Sequence, residues 1–228
     1  MAVESQSTAI YERLKLAILE LDITPGLRLT ERKLEIDFAA SRTPVRAALL
    51  RLETEGLVQR VGRGWMAAPI DLDEIAALGE YREAIEAAVV RLACDRVSDD
   101  DLAATEEFVG SQLLEEDAAH WYPRSVDFHV ELARLAGNQF LTSATSDIMT
   151  RLARTRWLEV RTPETRALAH REHVRILHAI VARDPERAVT SAVEHVRNTN
   201  TRLQASLGAD RKRLSARGLS IVGARRGI

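Results

Sequence analysis

The sequence predicts a mainly α-helical protein with an N-terminal winged helix-turn-helix domain and a C-terminal all-α helical bundle. Apolar residues recur at helical spacing along most of the chain. Hydrophobic residues make up 46% of the chain but aromatic residues only 4%, which is typical of helix bundles. The one hairpin-like stretch ends at Met66, and no strand pattern follows it. A chain of 228 residues has room for two such domains.

The predicted first domain, residues 1–70, contains three helices and a hairpin. Helix starts and stops are marked by a Pro25-Gly26 turn, by Thr30 as an N-cap, and by Gly56 after the third helix. Pro44 is expected at the first position of the third helix. The segment LVQRVGRGWM then reads as two short strands around a glycine-containing loop. The three helices are predicted at about residues 8–21, 30–39 and 43–55.

The predicted second domain, residues 71–208, is helical throughout. Asp71 and Glu74 have the spacing of a capping box, and Thr162-Pro163 and Asp184-Pro185 mark later helix starts. Residues 209–228 carry six basic residues, one acidic residue and no apolar stripe. We therefore expect them to form a basic flexible tail.

Charge, cysteine content and hydropathy favour a cytoplasmic protein. The net charge of -2 indicates no particular partner, and Cys94 has no second cysteine to pair with, as is usual in a reducing compartment. The N-terminus lacks the apolar run of a signal peptide, and no segment approaches the ~18 apolar residues of a membrane span.

The third helix begins with cations, where the helix dipole disfavours them by about 0.3–1 kcal/mol. Arg42 and Arg46 are four residues apart and share one helix face. Pairing with a guanine edge, worth about 1–3 kcal/mol, outweighs that cost, and the third helix of a winged domain enters the major groove of DNA. Arg32, Ser41 and Thr43 are placed to contact phosphates. For a single arginine, solvent exposure alone is the simpler interpretation.

The N-terminal motifs also resemble those of GntR-type bacterial transcription regulators. The matching segments are PGLRLTERKL, SRTPVRAALLRLETEGL and GRG, in the family's order over about sixty residues. The resemblance implies binding to double-stranded operator DNA. It implies contacts from the residues Arg32, Ser41, Arg42, Thr43 and Arg46, with Gly62 and Gly64 in the wing.

Three histidines in the second domain lie on three different predicted helices beside apolar neighbours. His129, His173 and His195 could converge inside a bundle, where neutral imidazoles suit Zn, Ni or a similar divalent ion. A lone helical histidine is more often a core or surface residue. Arg82 is four residues before Glu86, which is the spacing of an ordinary helical ion pair.

The segments YREAIEAAVVRLA, DFHVELARLAGN and EHVRILHAIVARDPERAV resemble the FCD-type effector domain of the FadR branch of that family. The resemblance implies a divalent metal held by these three histidines and one Asp. The Asp position, four residues before His129, is Ser125 here, so the expected acidic ligand is missing from the motif. Asp127 is about 200° around the helix and points elsewhere. The resemblance also implies a small organic acid as effector, bound near Arg82 and Ser125. A homodimer is expected because a single winged domain reads only a half-site.

Two alternatives remain open. One is a metal-dependent enzyme with an added DNA-binding domain, although the sequence has no HExxH motif and no phosphate-binding glycine loop. The other is a ligand-independent DNA-binding repressor with a degenerate effector site, which Ser125 in place of an acidic ligand favours.

Overall fold

The computed structural model describes residues 5–112, 127–156 and 162–223, and the chain divides into two compact units. Unit 1 combines residues 1–72 with residues 210–228, and unit 2 comprises residues 73–209. The C-terminal segment therefore belongs to the same unit as the N-terminal domain.

Unit 1 contains three helices: α1 Gln6–Leu19, α2 Glu31–Asp37 and α3 Arg42–Thr54. The Thr30 hydroxyl accepts a hydrogen bond from the Lys33 amide, as an N-cap does. Helix α3 begins two residues before Pro44, so Pro44 is not at the first position as predicted. A proline is still tolerated there, because the first four amides of a helix have no partner within it.

A three-stranded antiparallel sheet completes the winged domain. Its strands are β1 Arg28–Leu29, β2 Val58–Val61 and β3 Gly64–Ala67, in the order β1-β3-β2. Residues 62–63 form the two-residue turn between β2 and β3. Gly62 has a φ of +60° at the first turn position, as a type II′ turn requires. The predicted hairpin is confirmed, and β1 extends it to a sheet.

The core of unit 1 joins the apolar faces of its helices to this sheet. Apolar residues recur at three- and four-residue spacing on α1 and α3, so each helix buries one stripe and leaves its polar face in water. The largest fully buried side chains of this core are Ile18, Leu49, Leu52 and Leu57.

Two short strands that the sequence analysis missed tie the C-terminal segment to unit 1. Strand β4, Ile70–Asp71, pairs in parallel with β5, Ile221–Val222. Strands of two residues are too short to show an alternating pattern in the sequence. The expectation of a flexible tail over residues 209–228 is wrong for its described part, because Leu214, Leu219 and Ile221 are buried there.

The elements of unit 2 are all helices over the described residues. Its helices are α4 Leu72–Arg96, α5 Asp99–Gln112, α6 Phe128–Leu135, α7 Gln139–Arg156, α8 Pro163–Val181 and α9 Pro185–Ala216, whose last turns belong to unit 1. The helix start predicted at Thr162-Pro163 is confirmed, and Thr162 and Thr165 also form a reciprocal capping box there. The core is built largely from valine, leucine, isoleucine and alanine. In the part of the chain that the structure describes, no helix has the length and apolar character needed to cross a membrane.

Candidate functional site

Three histidines from three helices of unit 2 meet in its interior. His129 lies on α6, His173 on α8 and His195 on α9, and all three are buried. Their ring centroids are 4.8 to 5.2 Å apart, and one ring nitrogen from each lies within 4.8 Å of the others. The predicted convergence is therefore present in the structure.

The position of His129 follows from the start of α6. Asp127 is the N-cap of this helix, and its Oδ1 accepts a hydrogen bond from the His129 amide at 2.9 Å. The other carboxylate oxygen forms an ion pair with Arg156. Asp127 therefore fixes the helix end and does not replace the acidic ligand that the family resemblance places at residue 125.

Two buried carboxylates orient two of the imidazoles. Glu86 Oε1 lies 3.0 Å from Nδ1 of His129, and Glu172 Oε2 lies 2.8 Å from Nδ1 of His195. A carboxylate can only accept, so each Nδ1 carries the proton and each Nε2 is left as an acceptor. This arrangement is typical of histidines that bind a metal through Nε2.

Arg82 lies against both of these acceptor nitrogens. Its Nε donates to Glu86 at 2.6 Å, and its Nη2 lies 2.7 Å from Nε2 of His129 and 3.5 Å from Nε2 of His195. Arg82 thus forms the ion pair with Glu86 and contacts the histidine cluster at the same time. A single buried guanidinium provides the positive group that the two imidazoles face.

His173 differs from the other two histidines. Its ring stacks on Phe128, with centroids 4.0 Å apart and an interplanar angle of 17°. Its Nδ1 is buried and has no hydrogen-bond partner among the described residues. An unsatisfied buried polar atom costs roughly 1–3 kcal/mol, so this nitrogen is a position of the cluster where a bound ligand would be stabilising.

A second arginine supports the cluster from α9, and the sequence analysis missed it together with Glu172. Arg202 donates to both oxygens of Glu172, at 3.2 and 3.0 Å, and to the Thr199 hydroxyl at 3.0 Å. Thr199 and Arg202 follow His195 by four and seven residues. That periodicity is a signal for one shared helix face, although it does not reveal the partner on α8.

Burial and the neighbouring guanidinium keep the histidines neutral. Burial lowers the pKa of His129 well below its ordinary value, and the positive charge of Arg82 lowers it further. Burial also lowers the pKa of His173 and, less strongly, that of His195, whose hydrogen bond to Glu172 opposes the shift. Burial raises the pKa of Glu172, but hydrogen bonds from His195 and Arg202 outweigh it and bring the pKa to about 2. The cluster thus pairs neutral imidazoles with an ionised carboxylate.

The donor set fits a divalent metal of the zinc or nickel class. Neutral imidazole is the ligand these ions accept, and His173 Nδ1 lacks a hydrogen-bond partner within the described ranges. Arg82 Nη2 lies where the lone pairs of His129 and His195 converge, so a metal there requires this guanidinium to move aside. Ser125, assigned to the same site from the sequence, lies outside the described residues.

In unit 1 the side chains that the sequence predicts to contact DNA lie at the N-terminal end of α3 and on α2. The side chains of Arg32, Ser41, Arg42, Thr43 and Arg46 are all exposed. Ser41 is the N-cap of α3, yet its hydroxyl makes no capping hydrogen bond within the described part of the chain. The cations and hydroxyls that the sequence singled out are thus accessible together.

Glu31 holds one of these arginines in place. Its carboxylate accepts from Arg42 Nε at 2.5 Å and from the Trp65 indole at 3.3 Å. The Arg42 side chain is nevertheless 70% exposed. In the wing, Arg60 stacks over Trp65, and the turn places the exposed Arg63 between Gly62 and Gly64 at the hairpin tip.

The fold of unit 1 is that of a winged helix-turn-helix DNA-binding domain, and unit 2 adds a helical domain with a buried polar cluster. Residues 6–66 match the family described as bacterial regulatory proteins, gntR family, and residues 77–198 match the FCD domain. The chain belongs to the GntR family, in the branch that carries an FCD domain.

Individual relatives agree with this assignment. The Nta operon transcriptional regulator of Aminobacter aminovorans is 31% identical over 179 residues, which cover 75% of this chain and 82% of that protein. The HTH-type transcriptional repressor RspR of Escherichia coli K12 is 26% identical over 210 residues, covering 86% and 92% of the two chains. This chain is a DNA-binding transcription regulator, and its relatives are regulators rather than enzymes.

Solved structures share the fold. A GntR regulator from Rhodococcus sp. RHA1 superposes with a TM-score of 0.73 at 20% identity, covering 90% of this chain and 99% of that one. Escherichia coli McbR/YncC gives a TM-score of 0.71 at 18% identity, covering 88% and 98%. The prediction of a winged domain followed by a helical domain is confirmed.

Proposed function

We propose that this regulator binds a palindromic operator as a homodimer and that a small organic anion in the histidine cluster controls its affinity for that operator. The observation that carries the proposed effector site is the buried His173 Nδ1, which has no partner among the described residues. Its ring centroid lies 5.2 Å from that of His129 and 4.8 Å from that of His195. An effector changes operator affinity only by the difference between its own affinities for the free and DNA-bound protein.

The proposed DNA contacts are the exposed residues at the start of α3, with Arg32 and the wing. Arg42 and Arg46 are one helical turn apart, and the salt bridge to Glu31 pre-orders Arg42 before DNA is bound. Ser41 and Thr43 supply hydroxyls for phosphates, and Gly62 and Gly64 allow a narrow wing tip to approach the minor groove. A single winged domain reads only one half-site, which supports the dimer. A DNA partner supports a cytoplasmic location.

Arg82 supports a carboxylate as the effector. Its guanidinium is buried and forms its ion pair with one carboxylate, Glu86, while its Nη2 faces imidazole nitrogens, which are weaker partners than a second anion. An entering carboxylate would match the planar fork of the guanidinium and form charge-assisted hydrogen bonds with it. Because the histidines are neutral, the guanidinium is the group that supplies the positive charge for this pairing.

A divalent metal of the Zn or Ni class is the proposed cofactor, held by His129, His173 and His195. When bound, it would supply a positive centre with open positions for an effector carboxylate. Glu86 and Glu172 would hold two of the imidazoles with Nε2 directed inward, and Arg82 would turn toward the effector. Orientation by such carboxylates is worth roughly 10–100-fold in metal affinity.

A ligand-independent repressor is the second candidate, and one observation favours it. Arg82 Nη2 already meets the acceptor nitrogens of His129 and His195, so two of the three imidazoles are satisfied without any ligand. The buried His173 Nδ1, which has no hydrogen-bond partner among the described residues, argues against a ligand-independent repressor.

The first experiment selects operator DNA from a random-sequence pool with the full-length protein. Arg42→Ala and Arg46→Ala should each weaken binding to the selected operator. Each should also make the slope of log K against log salt shallower by about 0.9 for every phosphate that the variant no longer neutralises. Arg175→Ala, which removes an exposed arginine from unit 2, is the matched control. If both α3 variants bind as tightly as the control, the assignment of the recognition residues is wrong.

The second experiment measures affinity for that operator with a panel of small mono-, di- and tricarboxylic acids, with and without Zn²⁺. At least one acid should change the dissociation constant, and Arg82→Lys should reduce that response because it keeps the charge but loses the planar fork. A response to no acid, under conditions where the operator itself is bound, would favour the ligand-independent repressor.

A further inference from the structure

The C-terminal segment of the chain is bonded to two separate parts of the DNA-binding unit. Ile70 donates its amide hydrogen to the Ser220 carbonyl at 2.9 Å, and Ser220 donates its own to the Pro25 carbonyl, also at 2.9 Å. Strand β5 is thereby joined both to β4, which precedes α4, and to the turn that precedes β1. One residue, Ser220, links the two.

Apolar burial accompanies these hydrogen bonds. Leu214 is 1% exposed, Leu219 8% and Ile221 7%, whereas Val222 is 37% exposed. Successive residues of β5 thus alternate between the interior and the solvent, as in a strand docked on one face. Arg211 donates to the Ile221 carbonyl at 3.2 Å, which satisfies a backbone acceptor on the open edge of β5.

The turn before β1 is shaped to receive this segment. Gly26 has a φ of +89°, and a Cβ placed on it would come within 3.0 Å of the Ser220 Cβ. The close approach of Ser220 is therefore possible only because residue 26 has no side chain. Gly26 also donates its amide hydrogen to Ala67 at 2.9 Å, so the same turn is bonded to the end of the wing strand β3.

The pairing of β4 with β5 lies where the chain passes between the two units. The chain leaves unit 1 after Leu72 and re-enters it at Asp210, so β4 and the end of α9 are the two segments that lead to and from unit 2. The pairing of β4 with β5 fastens both segments to one place in unit 1. That place adjoins β1, one of the two edge strands of the wing sheet.

We propose that residues 210–223 form a C-terminal clasp that holds the linker strand β4 and the Pro25-Gly26 turn, and that full operator affinity requires the clasp to be docked. The segment docked on β4 and on this turn is the chain's own C-terminal segment. This role is additional to effector binding and does not depend on which effector the protein recognises.

The test compares two substitutions on adjacent residues of β5 in the full-length protein. Ile221→Asp places a charge in the buried face, whereas Val222→Asp places the same charge on the exposed face. Hydrogen exchange of the Ile70 and Ser220 amides reports docking directly, because these two amides bond across the contact. In Ile221→Asp both should exchange about tenfold faster or more, since burying an isoleucine is worth more than the free energy of a tenfold change. Val222→Asp should exchange as the unaltered protein does.

A second pair of variants approaches the contact from the other side. Gly26→Ala should speed exchange of the Ile70 amide, and adding Ser220→Gly should slow it again by removing the colliding Cβ. Both proteins carry the same backbone strain at residue 26, and Ser220→Gly alone is the control for the flexibility that the new glycine adds. If Ile221→Asp does not fold, this pair of variants still tests whether the C-terminal clasp is docked.

Operator affinity provides the functional half of the test, using the DNA selected by the unaltered protein. Ile221→Asp should bind it several-fold more weakly, and Val222→Asp should not. Equal exchange in Ile221→Asp and Val222→Asp would overturn the docked clasp. Exchange that slows with rising protein concentration would assign the strand to a second copy of the chain and overturn the intramolecular contact. Loss of amide protection with unchanged operator affinity would overturn the functional role.

Discussion

Arg82 Nη2 lies 2.7 Å from Nε2 of His129, so a guanidinium stands at the point where two oriented imidazoles direct their lone pairs. The same side chain forms a buried ion pair with Glu86 at 2.6 Å. Arg82 therefore serves as the internal counter-charge of a buried carboxylate and as the cation nearest to the proposed effector site.

Replacing Arg82 should destabilise unit 2 through Glu86. Arg82→Ala leaves a buried carboxylate without its cation, which typically costs about 3–5 kcal/mol of the free energy of unfolding. The control is Arg197→Ala, which breaks the exposed pair with Glu83 and should cost about 1 kcal/mol or less. Urea denaturation of both variants measures the difference, and similar costs would contradict the described role of Arg82.

Replacing His173 should greatly weaken metal binding. His173→Ala deletes the one histidine of the cluster whose Nδ1 has no partner among the described residues, and we expect it to bind Zn²⁺ far more weakly in isothermal titration. His178→Ala, which alters an exposed histidine of the same helix, should bind as the unaltered protein does. Zn²⁺ binding that survives in His173→Ala would exclude the three-histidine site.

Glu172 should act on the metal through His195. Glu172→Gln keeps the size of the side chain but removes the charge that holds Nδ1 of His195 protonated, so Zn²⁺ affinity should fall by about 10–100-fold. Glu194→Gln, in an exposed pair with Arg175, is the matched control and should leave the affinity unchanged. An equal effect of the two substitutions would indicate a general charge effect.

The free energy of unfolding of the metal-free protein should decrease as the pH is lowered, in two separate pH ranges. The pKa values of the three histidines are lowered in the folded state, so the unfolded state binds more protons below the ordinary value of 6.5. Their contribution is complete above that value and is lost as pH falls toward the lowered values, by at most about 1.4 kcal/mol per pH unit for each histidine. The pKa of Glu172, about 2 against an ordinary 4.5, adds a further loss as pH falls from 4.5 toward 2.

Urea denaturation at several pH values in the presence of a chelator measures these slopes. His173→Leu should give a shallower dependence than the unaltered protein between about pH 6.5 and pH 5, because one proton-binding difference is gone. A free energy of unfolding that does not change across that range would show that the buried histidines keep their ordinary pKa values.

The winged domain was the most predictable part of the protein, because its signals are local. Thr30 caps α2, and Gly62 turns the hairpin, with chemistry that depends only on neighbouring residues. The three histidines of the cluster were predictable from the sequence, but their hydrogen-bond partners were not. Glu172 lies on a different helix from His195 and Arg202, and no spacing along the chain joins residues 23 positions apart on two helices.

The sequence by itself determined that the chain is mainly helical, that its N-terminal residues form a winged DNA-binding domain, and which histidines are candidates for a buried site. Periodicity, capping and turn residues act over a few positions, so they can be read directly. Only the tertiary structure decided that Arg82 stands between His129 and His195 and that the supposed tail returns to unit 1 as β5. Both depend on pairing between distant segments, where burial of a few apolar side chains and single hydrogen bonds outweigh the local character of the sequence.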